Sequence, residues 1–116
     1  MNEKRTYDLK YLIKISAGDE AFVQDMIRQF ISEAPQVLLE ISEYMDQKRW
    51  PEMYQTLHRF APTLDFIGLD SIHDLVLTLE KRTFHQENLD EVPDYLIRLT
   101  DHCLKAIEDL KEDFDI

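Results

Sequence analysis

The most restrictive feature of this chain is a spacing. Met53, Leu57, Phe60, Leu64 and Ile67 follow one another at intervals of four, three, four and three residues. At about 100° of turn per residue, that interval gathers all five on one side of an α-helix, whereas a strand would divide them between two faces. The rhythm recurs in Ile72, Leu75, Val76 and Leu79, and again in Val92, Leu96, Leu99, Cys103, Ile107 and Leu110. A helix with one apolar face is stable only when that face is covered, so repeated stripes imply helices packed on each other. Two glycines and four prolines in 116 residues are too few for the turns of an all-β fold. Hydrophobic residues at 44% and charged residues at 32% describe a globular chain rather than a disordered one.

The sequence therefore predicts an all-α fold, an antiparallel up-down four-helix bundle with one or two additional N-terminal helices. The whole of 1–116 is read as a single domain, because no linker or repeat divides it. Leu9, Leu12 and Ile13 mark a short amphipathic helix between Tyr7 and Ile15. Gly18 suits a left-handed position after it and Asp19 suits the N-cap of the next helix, whose inward residues are read as Phe22, Met26, Phe30 and Ile31. Pro35 either kinks this helix or starts another, with Val37, Leu38, Ile41 and Met45 continuing the stripe. The four main helices are placed at about 36–47, 51–66, 71–84 and 92–112. Between them, Lys48-Arg49-Trp50 reads as a turn and Gly68 as a break. Asp70 or Ser71 is read as a cap, and Asp113 to Ile116 as a frayed end. Met26, Met45 and Met53 are read as core filler.

A formal net charge of −11 sets the chain against phosphate backbones and anionic lipid, so neither nucleic acid nor membrane is expected as a partner. One cysteine, Cys103, has no internal partner, which suits a reducing, cytoplasmic setting. No apolar run approaches the ~18 residues of a membrane span. The opening Met1-Asn2-Glu3-Lys4-Arg5 is too polar for a signal peptide.

On the 51–66 helix, His58 points roughly 135° away from the centre of the apolar stripe, so its ring is expected in solvent. Tyr54, Ala61, Pro62 and Asp65 share that face, and the small Ala61 between His58 and the core leaves room for a visitor. Pro62 lies four residues after His58 inside a strong helical pattern. Its missing N–H is the one that would meet the His58 carbonyl, and mid-helix proline costs about 3 kcal/mol. A local kink and a free carbonyl are expected. An imidazole has an ordinary pKa of about 6.5, so much of it is neutral near neutral pH and available as a nucleophile. No Gly-rich phosphate loop occurs, so nucleotide binding by that route is absent from the sequence.

The run from Leu57 through His58, Phe60 and Ala61-Pro62 to Gly68-Leu69 resembles the histidine-containing phosphotransfer (HPt) domain motif. Ser16 to Phe22, Phe30, Trp50 and the pair Leu79-Glu80 are also similar to that family, and the resemblance spans about residues 8 to 110. It implies that His58 is the phosphoacceptor, that Gly68 is a structural turn, and that the partners are receiver domains of response regulators or hybrid histidine kinases. It implies a carrier in a two-component phosphorelay without kinase activity of its own. No cofactor is expected on this chain, since Mg²⁺ would belong to the partner receiver. The expected contact surface comprises Tyr54, Arg59, Ala61, Pro62, Asp65, Lys81 and Arg82. Two positions depart from the family pattern. Ala61 stands where the family carries a Lys that helps hold the phosphoryl oxygens, and Pro62 stands where Gly is usual. A substitute cation could come from Arg59, or from Lys81 or Arg82 on the next helix. Antiparallel pairing about Gly68 puts Thr78 level with His58 and Lys81 about one turn off.

The sequence admits two other readings. A non-catalytic adaptor of the same fold would bind receiver or kinase domains without stable phosphorylation, because of Ala61. A metal-binding bundle would use His73, His85 and His102, but their spacing makes no i, i+4 ligand pair and no metal is expected. Cys103 lies on an apolar stripe and reads as core rather than as a nucleophile. A monomer is expected.

Overall fold

The computed structural model describes residues 5–116. Its helices are α1 (Lys10–Ile15), α2 (Glu20–Asp46), α3 (Trp50–Ile67), α4 (His73–His85) and α5 (Val92–Phe114). Short 3₁₀ turns, Asp70–Ile72 and Leu89–Glu91, precede α4 and α5. Among the described residues there is no strand. The long helices pack in chain order, α2 on α3, α3 on α4 and α4 on α5, and α5 closes the ring against α2. This is the predicted four-helix bundle, with α1 as one added N-terminal helix against α3 and α2.

The helix expected at 36–47 does not start there. Glu20–Asp46 is one helix that runs through Pro35. Pro35 is exposed, so its ring sits in solvent and the cost is one backbone hydrogen bond. The buried stripe of Val23, Ile27, Phe30, Ala34, Leu38 and Ile41 is unbroken on either side of it, and that burial outweighs the lost bond. At 1.5 Å per residue the helix is about 40 Å long, which matches the 42 Å long axis of the molecule. The stripe is also rotated from the expected one. Phe22 is exposed, Met26, Ile31 and Met45 are half-buried, and Val23 and Ile27 point inward instead. Ile13 of α1 likewise lies outside while Leu9 and Leu12 are buried.

The caps follow local chemistry. Asp19 accepts a hydrogen bond from the Phe22 N–H at 3.1 Å, as an N-cap should. Gly18 has φ +86°. Trp50 is the first residue of α3 rather than part of the turn, and the chain reverses at Lys48, φ +57°. Neither Asp70 nor Ser71 caps α4; the 3₁₀ turn at 70–72 leads straight into it. Gly68 ends α3 at φ +75°. A Cβ there would lie 1.8 Å from the Asp8 carbonyl oxygen, so glycine is required both for the turn and for the approaching strand of chain. Asp8 donates its N–H to the Gly68 carbonyl at 3.1 Å.

The C-terminal end is held rather than frayed. α5 continues to Phe114. Arg5 pairs with Asp109 at 3.0 Å, Glu112 at 2.9 Å and Asp113 at 2.6 Å, and the Tyr7 hydroxyl donates to Asp113. Asp109 is buried, and its carboxylate is met by Arg5, Thr6 and Lys105. A buried charge without such partners would be costly. No helix of the described residues is long and apolar enough to cross a membrane.

Candidate functional site

The site is built where α3 and α4 run side by side. Val76, Leu79 and Thr83 put α4 against the bundle, and Leu57, Phe60 and Leu64 do the same for α3. His58 lies on the outer edge of α3, with 66% of its side chain exposed. Across from it, Glu80 is buried, with 9% of its surface exposed. The two meet in a 2.7 Å hydrogen bond between His58 Nδ1 and Glu80 Oε1. Two turns further along α3, Asp65 lies 3.4 Å from His73 Nδ1, two turns back along α4. These paired positions fix an antiparallel register.

That register differs from the expected one. His58 stands level with Glu80 rather than Thr78. Leu69 and the 3₁₀ turn at 70–72 lengthen the connection beyond a symmetric turn about Gly68, and α4 is displaced by two residues.

Ionised carboxylate accepts hydrogen bonds and donates none. Bonded to Glu80, the neutral imidazole therefore carries its proton on Nδ1 and leaves the lone pair of Nε2 facing solvent. Tyr54, one turn before His58, stacks on the imidazole with ring centres 5.6 Å apart and planes 17° off parallel. Phe84 of α4 packs on Tyr54 at 5.0 Å. The ring is thus restrained from the protein side by one hydrogen bond and one aromatic face.

Ala61, Pro62 and Asp65 line a groove of about 240 Å³ with His58, Glu80, His73 and the apolar Leu69, Val76 and Leu77. α3 continues through Pro62 to Ile67. Pro62 has no N–H for the His58 carbonyl, and that carbonyl lacks its usual intrahelical donor.

The expected cations are elsewhere. Arg59 lies in a separate groove between α3 and α2, and its guanidinium donates to Thr56 Oγ1 of α3 itself at 3.3 Å. Arg82 is engaged at the start of α5, paired with Glu91 of the preceding 3₁₀ turn and lying 4.8 Å over the Tyr95 ring of α5. Lys81 is exposed, about 100° round α4 from Glu80 and on the side away from the buried stripe. None of the three lines the groove. The remaining histidines do not converge. His73 faces Asp65, His85 meets the Phe84 ring edge-on at 5.0 Å, and His102 Nδ1 lies 2.9 Å from the Arg98 carbonyl. Among the described residues no three His, Cys, Asp or Glu side chains form a metal-binding group. Cys103 is fully buried, and burial pushes its thiol up to about 12.

Two contributors lie outside the expected set. Glu80 gave a signal in the sequence, since it interrupts the apolar stripe four residues after Val76 and three before Thr83. An acid at such a position needs a partner. Phe84 gave none, because an exposed aromatic at the end of a helix has many uses.

Comparison with known proteins gives one match. The family model described as the Hpt domain matches residues 25–112. No curated protein and no solved structure matches.

Proposed function

We propose that this chain, which belongs to the Hpt domain family and so takes part in phosphotransfer in two-component signalling, carries the phosphoryl group on Nε2 of His58. The observation that carries this reading is the His58 Nδ1–Glu80 bond at 2.7 Å beside an otherwise open ring. The Nε2 lone pair attacks the phosphorus of an aspartyl phosphate on a receiver domain. The N–P bond forms as the P–O bond to aspartate breaks, and the aspartate leaves as carboxylate. The phosphorylated ring then holds a positive charge, with its proton still on Nδ1 and donated to Glu80, whose negative charge offsets it. When the group passes to a second receiver, the leaving group is neutral imidazole. The chemistry asks mainly for positioning and charge neutralisation, and the receiver contributes Mg²⁺ for the latter.

The receiver docks over His58, Tyr54, Ala61, Pro62 and Asp65, with Leu77 and Phe84 of α4 completing the contact and Arg59 and Lys81 at its margins. Arg82, held by α5, falls outside it. The chain works as a cytoplasmic monomer, a setting compatible with its buried free thiol. It is a carrier and not a kinase.

A receiver domain charged with radiolabelled acetyl phosphate and Mg²⁺ tests this. Label should appear on the wild-type chain in acid-labile form and be absent from His58→Gln. Label retained by His58→Gln would refute it. The adaptor reading is favoured by the absence, among the described residues, of Lys and Arg from the groove; it predicts that wild type binds the receiver and takes no label.

A further inference from the structure

Among the described residues, the groove beside His58 contains two carboxylates, Glu80 and Asp65, and no lysine or arginine. Its one other ionisable ring, His73, lies two turns from His58 and faces Asp65 at 3.4 Å. A phosphoryl group brings close to two further negative charges, into a chain whose formal net charge is already −11. The site therefore offers an anion to the ring and no cation to the phosphoryl oxygens. The first effect holds the Nδ1 proton on the ring, so that imidazole leaves neutral, and partly offsets the charge of the loaded ring; the second raises the energy of the loaded form, and it is the second that sets the bias.

We propose that this chain is poised as a phosphoryl donor. At equilibrium between phospho-His58 with free receiver aspartate and free His58 with aspartyl phosphate, its groove charges shift the population toward the receiver. The inference rests on His58 being the acceptor. No atom is gained or lost in the exchange; the N–P bond breaks as the P–O bond forms, and the imidazole leaves neutral.

Ala61 is the position to test, since it is small, lies one turn after His58 and lines the groove. A lysine there reaches the phosphoryl oxygens from the chain's own side. A receiver domain that exchanges label with the wild-type chain is charged with acetyl phosphate and Mg²⁺, freed of excess donor and mixed with each variant until the ratio is constant. Ala61→Lys should raise the ratio of phospho-His58 to aspartyl phosphate about fivefold, a size set by surface charge pairing. Ala61→Gln, of similar bulk without charge, should raise the ratio less than Ala61→Lys, and Ser32→Lys, which adds the same charge on the exposed side of α2, should leave the ratio unchanged. Raising the salt should lift the wild-type ratio toward that of Ala61→Lys, because screening weakens the repulsion. An unchanged ratio in Ala61→Lys overturns the proposal, as does an equal rise in Ser32→Lys. Label taken up by His58→Gln from the same receiver instead refutes His58 as the acceptor.

Discussion

Glu80 shows how one buried side chain can set the chemistry of an exposed one. Its carboxylate selects the Nδ1–H tautomer of His58 because it can only accept a hydrogen bond. A glutamine can accept or donate, and so leaves both tautomers available. In Glu80→Gln, the ¹⁵N signals of the His58 ring should shift from a single Nδ1–H form toward a mixture. The rate of phosphoryl uptake should fall by about tenfold, the lower range for losing a histidine's hydrogen-bonding partner. An unchanged ring spectrum would remove Glu80 from the mechanism. Gly68 is decided by a different force at the same scale. Its positive φ and the Asp8 carbonyl leave no space for a Cβ, so a turn residue visible in the sequence also anchors a segment sixty positions earlier.

At the scale of the helix, propensity lost to packing twice. Pro35 and Pro62 each stand inside an α-helix that continues past them. Both are exposed, and in both cases a buried stripe runs past the proline on either side. Pro62→Ala restores an N–H for the His58 carbonyl and removes a helix-breaking ring. The urea midpoint should rise by the equivalent of about 1–3 kcal/mol with the slope unchanged. If Pro62 serves the receiver contact, label uptake will slow in the same variant even as stability increases. A fall in the midpoint would mean that the free carbonyl is satisfied in a way alanine disrupts. The register of α3 on α4 also belongs to this scale. A two-residue shift, caused by the 3₁₀ turn at 70–72, exchanges Thr78 for Glu80 opposite His58 and so replaces a neutral hydroxyl with an anion.

At the scale of the molecule, the N-terminal segment is tied to the far end of α5 by Arg5, Thr6 and Tyr7. The Tyr7 hydroxyl and Arg5 hold the Asp113 carboxyl below the usual carboxylate range. A carboxyl depressed in the folded state adds stability above its unfolded pKa of about 4 and loses it as pH falls through the folded value. The protection of α1 amides, taken relative to the intrinsic exchange rate at each pH, should therefore fall below about pH 4, and in Asp113→Asn it should already be low at neutral pH. Equal exchange in the two proteins at neutral pH would show that the clasp does not hold α1. By itself, the amino-acid sequence determined the helical class, the number of bundle helices, the exposed face of His58 and the burial of Cys103, because each depends on the local angle of about 100° per residue. The rotation of the α2 stripe, the continuity of α2 through Pro35, the partner of His58 and the dispersal of Arg59, Lys81 and Arg82 were decided only by the tertiary structure. Periodicity reports which side of a helix is buried, but neither the register between two helices nor the direction of a long charged side chain follows from it. Both depend on how the neighbouring surfaces fit.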